Sequence, residues 1–150
     1  MSHELRHRNL PQLLLQSRET LMSNFRPILN DNGLTEQQWR VIRALLTAGP
    51  LEPRQLCEAC QIVGPSLTGV LARMEEMGLV TRERMDNDQR RLLVSLTAKS
   101  RRIASRMAPR VEAQYERIEA RVGADRLRKV YDTLDALIVA LDGGAGVRRA

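Results

Sequence analysis

Residues 61–97, QIVGPSLTGVLARMEEMGLVTRERMDNDQRRLLVSLT, decide the fold of this chain. A short turn over 61–64 is followed by a helix, because Pro65 is favoured in a first helical turn, where its missing N–H leaves no bond unmade. Apolar residues at i, i+3, i+4 and i+7 give that helix one buried face. They are Leu67, Val70, Leu71 and Met74. The other face carries Ser66, Thr68, Gly69 and Arg73, and Gly78 ends the helix.

Two strands follow this helix. Residues 79–85 and 92–97 are rich in apolar and β-favouring side chains, and the polar residues 86–91 predict the tip of a hairpin between them. A helix with a short, polar outer face suits the major groove of DNA. A cationic hairpin beside it suits the neighbouring minor groove. The stretch therefore predicts a winged helix-turn-helix.

The positive charge is concentrated in the same region. The chain has a net charge of +6 and a sequence pI of about 10.3. Residues 64–110 hold 10 Lys or Arg against 5 Asp or Glu, a balance of +5. This favours a polyanionic partner such as double-stranded DNA. Charge alone is equally compatible with a merely basic soluble protein.

Three helices precede the recognition stretch. The first is predicted from Pro11 to about Asn30, and its apolar stripe is Leu10, Leu13, Leu14, Leu21, Phe25 and Leu29. The second begins at Thr35, with Gln38 completing a capping box, and ends before residues 49–50. Its inward-facing residues are predicted to be Trp39, Ile42, Leu45 and Leu46. A short third helix runs from about residue 53 to residue 60.

Two long helices follow the hairpin. Thr97 is predicted to cap the first, Pro109 to kink it and Gly123 to end it. Its narrow apolar stripe is Ile103, Met107, Val111, Tyr115, Ile118 and Val122. The stripe of the last helix is Leu127, Val130, Tyr131, Leu134, Leu137, Ile138 and Leu141. The expected fold class is therefore mainly α with a small β-hairpin wing, in the order helix, helix, helix, helix, hairpin, helix, helix.

The striped terminal helices predict a homodimer, because one chain does not easily cover these stripes by itself. We expect residues 1–33 and 98–150 to form the dimerisation helices and residues 34–97 the winged helix-turn-helix unit. A two-fold dimer would place two recognition helices about one DNA turn apart, on a pseudo-palindromic operator. The alternative is a monomer whose terminal helices fold back onto the core.

Several segments resemble the MarR family of transcription factors. They are LTEQQW at 34–39, MEEMGLV at 74–80, and DQR at 88–90 followed by LVSLT at 93–97. The likeness covers about residues 10–141. RNLP at 8–11 and VGPSLT at 63–68 more narrowly resemble the branch that represses homoprotocatechuate (4-hydroxyphenylacetate) degradation operons, although repressors of other aromatic-acid pathways share similar stretches. The resemblance implies a homodimeric, triangular repressor that a small, often phenolic, anion releases from DNA.

Eight residues are candidates for contact with DNA. They are Ser66, Thr68, Gly69, Arg73, Arg84, Asp88, Arg90 and Arg91. Serine and threonine bond phosphates or base edges, and an arginine forks onto guanine. Arg90 is expected to enter the minor groove. Asp88, being an anion, is expected to hold the wing tip by pairing with a nearby arginine. The alternative is a solvated helix face with exposed ion pairs that contribute little.

A second set of residues is a candidate site for an aromatic acid. Trp39, the single tryptophan, is interpreted either as a core residue or as one wall of a pocket. Arg18 and Arg43, together with Arg8 or His7 from the N-terminal arm, would clamp a carboxylate. In an alternative role, His7 would bond a phenol. The simpler interpretation is that these arginines are solvated.

The sequence offers little support for other kinds of site. Cys57 and Cys60 form a C-x-x-C pair within a helix, and they are interpreted as small buried residues or, alternatively, as a redox switch. The two histidines, His3 and His7, lie in the N-terminal arm, so a zinc site is not expected. No cofactor-binding motif or catalytic set is recognisable, which predicts a regulator without enzymatic activity. The N-terminus lacks the apolar stretch of a signal peptide, and we expect a cytoplasmic protein.

Overall fold

The predicted order of elements is confirmed. The computed structural model describes residues 4–85 and 88–142, with the backbone only for residues 88–90. Its elements are α1 (Leu10–Asp31), α2 (Glu36–Ala48), α3 (Pro53–Cys60), α4 (Gly64–Glu76), β1 (Val80–Met85), β2 (Asp88–Leu96), α5 (Ala98–Val122) and α6 (Ala124–Leu141). None of the described helices is long and apolar enough to cross a lipid bilayer.

Side chains at the helix starts explain why the elements begin where they do. The Asn9 side chain accepts a hydrogen bond from the backbone N–H of Gln12 at 3.0 Å at the start of α1. At α2 the predicted capping box is confirmed: the Gln38 N–H donates to Thr35 Oγ1 at 3.1 Å, and the Thr35 N–H donates to Gln38 Oε1 at 3.0 Å. These bonds satisfy N–H groups that have no partner within the helix.

The start of α5 is fixed in the same way. The Ser100 N–H donates to Thr97 Oγ1 at 3.2 Å, and the Thr97 N–H donates to Ser100 Oγ at 3.1 Å. Thr97 Oγ1 also lies 2.6 Å from the carbonyl oxygen of Gly78, which follows α4. One threonine therefore starts α5 and ties that start to the end of α4. Gly123 ends α5, as predicted, and the helix runs through Pro109 without a break.

The core lies where α2, α3, α4 and the hairpin meet. Its most enclosed apolar side chains are each no more than 1% exposed, and they include Val41, Ile42, Leu56, Leu67, Met74 and Val94. The predicted buried face of α4 is confirmed, since Leu67, Leu71 and Met74 are buried and Val70 is half-buried. The buried face of α4 fixes which of its residues point outward.

The root of the hairpin is held to the segment between α2 and α3. Leu51 and Val94 exchange two backbone hydrogen bonds, of 3.1 and 2.8 Å. Both side chains are also buried. The hairpin is therefore anchored through backbone as well as apolar contacts, and its position follows that of α3.

The hairpin tip is shorter than predicted. Residues 88–91 were expected in the tip, but they belong to β2. The antiparallel register runs from Val80 opposite Leu96 to Arg84 opposite Leu92, and then shifts so that Met85 lies opposite Asp88. The part of a strand that extends beyond the core has no buried face, so its sequence does not alternate between apolar and polar residues. For this reason the polar residues 88–91 were predicted to form a turn. Residues 86 and 87 of the predicted tip lie outside the described residues.

One predicted core residue of α2 was wrong. Leu46 was expected to point inward but is 43% exposed, whereas its neighbour Leu45 is 2% exposed. Successive helical residues are rotated by about 100°. Ile42 and Leu45 point into the core. The rotation from Leu45 to the next residue therefore turns the Leu46 side chain away from the core.

Much of the apolar surface of the terminal helices is uncovered within one chain. In α6 no residue is buried. Its exposed large apolar side chains are Val130, Tyr131, Ile138, Val139 and Leu141, and α1 adds Leu10, Leu15 and Leu21. By contrast, the C-terminal half of α1 buries Phe25, Ile28 and Leu29 against the chain. The uncovered apolar surface is thus concentrated on α6 and the first half of α1.

We predict that Leu56→Ala destabilises the fold far more than the matched change Leu46→Ala. Leu56 is fully buried, so its truncation leaves a cavity and costs about 2–5 kcal/mol of unfolding free energy. Leu46 is substantially exposed, and its loss should cost less than about 1 kcal/mol. Urea unfolding at one fixed protein concentration measures both values. Equal losses would contradict this description of the core.

Candidate nucleic-acid interface

The outward face of α4 presents the predicted polar residues. Ser66, Thr68, Gly69 and Arg73 are all exposed. The Thr68 hydroxyl group donates to the Gly64 carbonyl oxygen within the helix at 3.1 Å, and its oxygen can still accept a hydrogen bond. Arg73 Nη1 lies 3.7 Å from Glu76 Oε2, and these side chains are 70% and 72% exposed. An ion pair so exposed to water contributes little to the stability of the fold. Arg73 can therefore exchange Glu76 for a phosphate or a base.

Nothing in the described part of the chain requires glycine at position 69. A Cβ atom added to Gly69 would meet no atom within 4 Å, and the residue lies in the middle of a helix, where glycine is unfavourable by roughly 1 kcal/mol relative to alanine. Its absence of a side chain leaves bare backbone on the same face as Ser66 and Arg73. That surface allows close approach by another molecule.

The described wing arginines differ in their surroundings. Arg84, on β1, is exposed. Arg91, on β2, makes an ion pair from its Nε atom to Oε1 of Glu52. Glu52 is also the N-cap residue of α3, and its backbone N–H donates to Gln55 Oε1 at 2.9 Å. Arg91 therefore links the wing to the start of α3. The predicted contacts of Asp88 and Arg90 concern side chains that lie outside the described residues.

Val63 is a candidate contact that the sequence interpretation missed. It is the N-cap residue of α4 and is 70% exposed, although it is a large apolar side chain. An apolar side chain at this end of a recognition helix is suited to contact with a thymine methyl group. The available signal was an apolar residue in a turn, outside the stripe that α4 buries.

The residues proposed for an aromatic-acid site are only partly brought together. Trp39 is half-buried and packs against the core. The rings of Phe25 and Tyr115 lie 4.9 Å apart between centroids, at 48° to each other. Burial raises the pKa of Tyr115, and the positive charge of Arg43 acts in the opposite direction. Arg43 on α2 therefore lies within electrostatic reach of the Tyr115 phenol on α5.

Tyr115 was assigned by sequence only to the apolar stripe of α5. Tyr115 is half-buried where α5 packs on α1, and a phenol hydroxyl group within the electrostatic influence of an arginine can bond a polar ligand. Its spacing along the stripe gave no sign of this, because the arginine comes from another helix.

The other arginines of this set are placed differently. Arg18 bonds the Glu36 carboxylate, and a second contact to Glu19 measures 3.6 Å, so its charge is already compensated. His7 and Arg8 are exposed in the segment before α1. No described contact joins either of them to Trp39 or Arg43. Among the described residues of the predicted clamp, Arg43 is the one whose charge acts on the Tyr115 phenol.

The two cysteines are free thiols in α3, Cys57 half-buried and Cys60 buried. This agrees with their interpretation as small residues packed in or against the core. Burial raises the pKa of the Cys60 thiol, Arg40 lowers it and Cys57 raises it further. Across the described residues there is no cluster of three His, Cys, Asp or Glu side chains that would hold a metal ion.

The sequence comparisons agree with this architecture. The sequence model of the MarR family matches residues 32–91. The homoprotocatechuate degradative operon repressor of Escherichia coli is 41% identical over 132 residues, which cover 88% of this chain and 89% of that protein. The chain belongs to the MarR family. Its relatives in this family are transcriptional regulators.

Two solved structures of the family are closely similar to the chain. The transcriptional regulator PA4135 is 46% identical, with a TM-score of 0.84, and the match covers 87% of this chain and 96% of that one. NadR in complex with 4-hydroxyphenylacetate is 39% identical, with a TM-score of 0.79, and the match covers 91% and 97% of the two chains. The fold is therefore that of MarR-family proteins along most of its length.

We predict that Cys60 reacts slowly with iodoacetamide near neutral pH, because its thiol is buried and its raised pKa keeps it protonated. The variants Cys57→Ser and Cys60→Ser each leave one thiol for the measurement. The Cys57→Ser protein should react at least about tenfold more slowly than the Cys60→Ser protein. After denaturation the two rates should become similar. Equal rates in the folded state would contradict the environment described for Cys60.

Proposed function

We propose that the chain is a homodimeric repressor of an aromatic-compound catabolic operon, which an aromatic acid releases from a pseudo-palindromic operator. The observation that carries this proposal is the exposed polar face of α4, in a chain 41% identical to a repressor of such an operon. DNA reading, dimerisation and release by a ligand each rest on separate residues.

DNA reading is assigned to the outward face of α4 and to the wing. Ser66, Thr68 and Arg73 would contact phosphates and base edges in the major groove, while the bare backbone at Gly69 allows the helix to approach closely. Arg84, Asp88, Arg90 and Arg91 belong to the wing, which would follow the backbone into the minor groove. Arg91, whose side chain is 54% exposed, would first have to loosen its pair with Glu52, whose side chain is 26% exposed.

Dimerisation is assigned to residues 1–33 and 98–150, and DNA reading to residues 34–97. The exposed apolar side chains of α6 and of the first half of α1 support this division, since a second copy of the same surface would cover them. A two-fold arrangement also matches a duplex with two similar half-sites.

Release by an aromatic acid is assigned to the surface between α2 and α5. Trp39 and Phe25 supply apolar and aromatic contacts, and Arg43 supplies a positive charge for a carboxylate. The phenol of Tyr115 adds a hydrogen-bonding group. Arg18, His7 and Arg8 would contribute after a rearrangement or from a second chain. NadR, which resembles this chain, binds 4-hydroxyphenylacetate in its crystal structure. Linkage requires that the ligand prefer a form whose recognition helices do not fit the operator.

A redox-sensing regulator acting through Cys57 or Cys60 is the alternative function. A reactive cysteine needs an accessible thiolate, and burial with a raised pKa works against one at Cys60. The structural environment therefore favours release by a ligand.

We predict that Arg73→Ala weakens binding to the operator about 10- to 100-fold, because it removes a bidentate or phosphate contact. Arg117→Ala, an exposed change on α5 with the same loss of charge, is the matched control and should change affinity less than about threefold. Fluorescence anisotropy with a duplex from the promoter region of the chain's own gene measures both. Equal effects of the two changes would exclude α4 as the reading element.

We predict that 4-hydroxyphenylacetate quenches or shifts the fluorescence of Trp39, the single tryptophan, and weakens binding to the same duplex. Arg43→Ala should lower the affinity for 4-hydroxyphenylacetate at least about tenfold, since a charge-assisted contact with its carboxylate is lost. Tyr115→Phe tests the phenol separately, and Arg117→Ala again serves as the control. Ligand affinity that is unchanged in Arg43→Ala would remove this arginine from the site.

A further inference from the structure

The turn between α3 and α4 contains a residue in an unfavourable conformation. Gln61 has φ 51° and ψ 49°, and it is the one described residue other than glycine with a positive φ. A residue with a Cβ atom is disfavoured in this left-handed region and remains there only when its surroundings hold it. The turn also determines the direction in which α4 leaves α3.

Arg40 of α2 reaches across to this turn. Its Nη1 atom donates to the Cys60 carbonyl oxygen at 2.7 Å and lies 3.5 Å from the Gln61 carbonyl oxygen. Both carbonyl groups belong to the C-terminal end of α3, which carries partial negative charge and lacks helical N–H partners. A guanidinium group is matched to such a site in both charge and donor number.

The guanidinium group of Arg40 is partly buried. Arg40 is half-buried, and its Nε atom is buried without a hydrogen-bond partner among the described residues. Leaving a buried donor unpaired is unfavourable. The described hydrogen bonds of Arg40 are those from Nη1 to the Cys60 and Gln61 carbonyl oxygens, and they hold this side chain against the turn.

We propose that Arg40 is a positioning residue for DNA reading, which locks the α3–α4 turn and so fixes the direction in which α4 presents its outward face. This inference rests on the proposed DNA-binding function. Ser66 and Thr68 follow the turn directly, in the first turns of α4. A change of direction at residues 61–63 therefore moves them together relative to a groove. Phosphate contacts tolerate such movement better than base contacts, whose geometry is narrow.

The test compares Arg40→Met with Arg40→Lys and with the control Arg117→Met, in the full-length protein. Methionine keeps an unbranched apolar stem and removes every donor, whereas lysine keeps the charge and one donor toward the Cys60 carbonyl oxygen. Arg117→Met removes the same charge from an exposed position on α5, away from the reading face and not among the apolar side chains of α1 and α6 to which dimerisation is assigned. If Arg40→Met does not fold, Arg40→Lys is used for both measurements.

The first measurement is amide hydrogen exchange in the absence of DNA. The N–H groups of Gln61 and Ile62 both bond the Cys57 carbonyl oxygen within this turn. We expect their exchange to accelerate at least about tenfold in Arg40→Met, while exchange in α5 stays at the wild-type rate. Arg40→Lys should lie between the two. Acceleration throughout the chain, or none at the turn, would overturn the proposal.

The second measurement is the ratio of affinities for the promoter duplex and for a scrambled duplex of equal length. We expect this ratio to fall about tenfold in Arg40→Met and to stay unchanged in Arg117→Met. A purely structural role would lower the active fraction and reduce both affinities equally, leaving the ratio constant. A constant ratio with a loosened turn would overturn the reading role of Arg40. If wild-type protein does not discriminate the duplexes, the proposed function itself fails, while the exchange result still reports on the turn.

Discussion

The burial of one face of α4 is the constraint on which the rest of the structure depends. Leu67, Leu71 and Met74 are at most 2% exposed, and fully burying side chains of this kind stabilises a fold by about 1.5–3 kcal/mol each. Rotating the helix to expose them would therefore be strongly unfavourable. The opposite face, from Ser66 to Arg73, is held outward as a consequence. The interface is thus selected by packing rather than by any contact among its own polar residues.

Helix α2 connects the two candidate sites. Its buried residues Val41 and Ile42 belong to the same core as α4, and its Arg43 acts electrostatically on the Tyr115 phenol of α5. Arg40 of the same helix contacts the turn that precedes α4. A movement of α2 is therefore transmitted both to the α4 turn and to the surface beside α5. This gives a physical basis for coupling between a ligand and DNA, which requires an element that both sites contact.

The sequence was informative where structure is determined locally. The capping box of Thr35 and Gln38 and the stripe of α4 involve residues a few positions apart, so spacing alone identified them. Leu46, Tyr115 and Arg91 were different, because their surroundings come from distant segments. Whether Leu46 is covered depends on the direction from which the core approaches α2. The charge that acts on Tyr115 comes from Arg43 on another helix, and Arg91 pairs with Glu52, which precedes it by 39 positions. Such tertiary contacts leave no periodic signal.

The central claim is that two copies of the chain, joined through their terminal helices, present two α4 helices to one duplex. Native mass spectrometry of the complex with the promoter duplex measures this most directly. The account predicts two chains per duplex, and it predicts loss of that complex when about five base pairs are inserted between half-sites about 10 base pairs apart, because one α4 then faces the opposite side of the DNA. One chain per duplex, or a complex that tolerates the insertion, would contradict it.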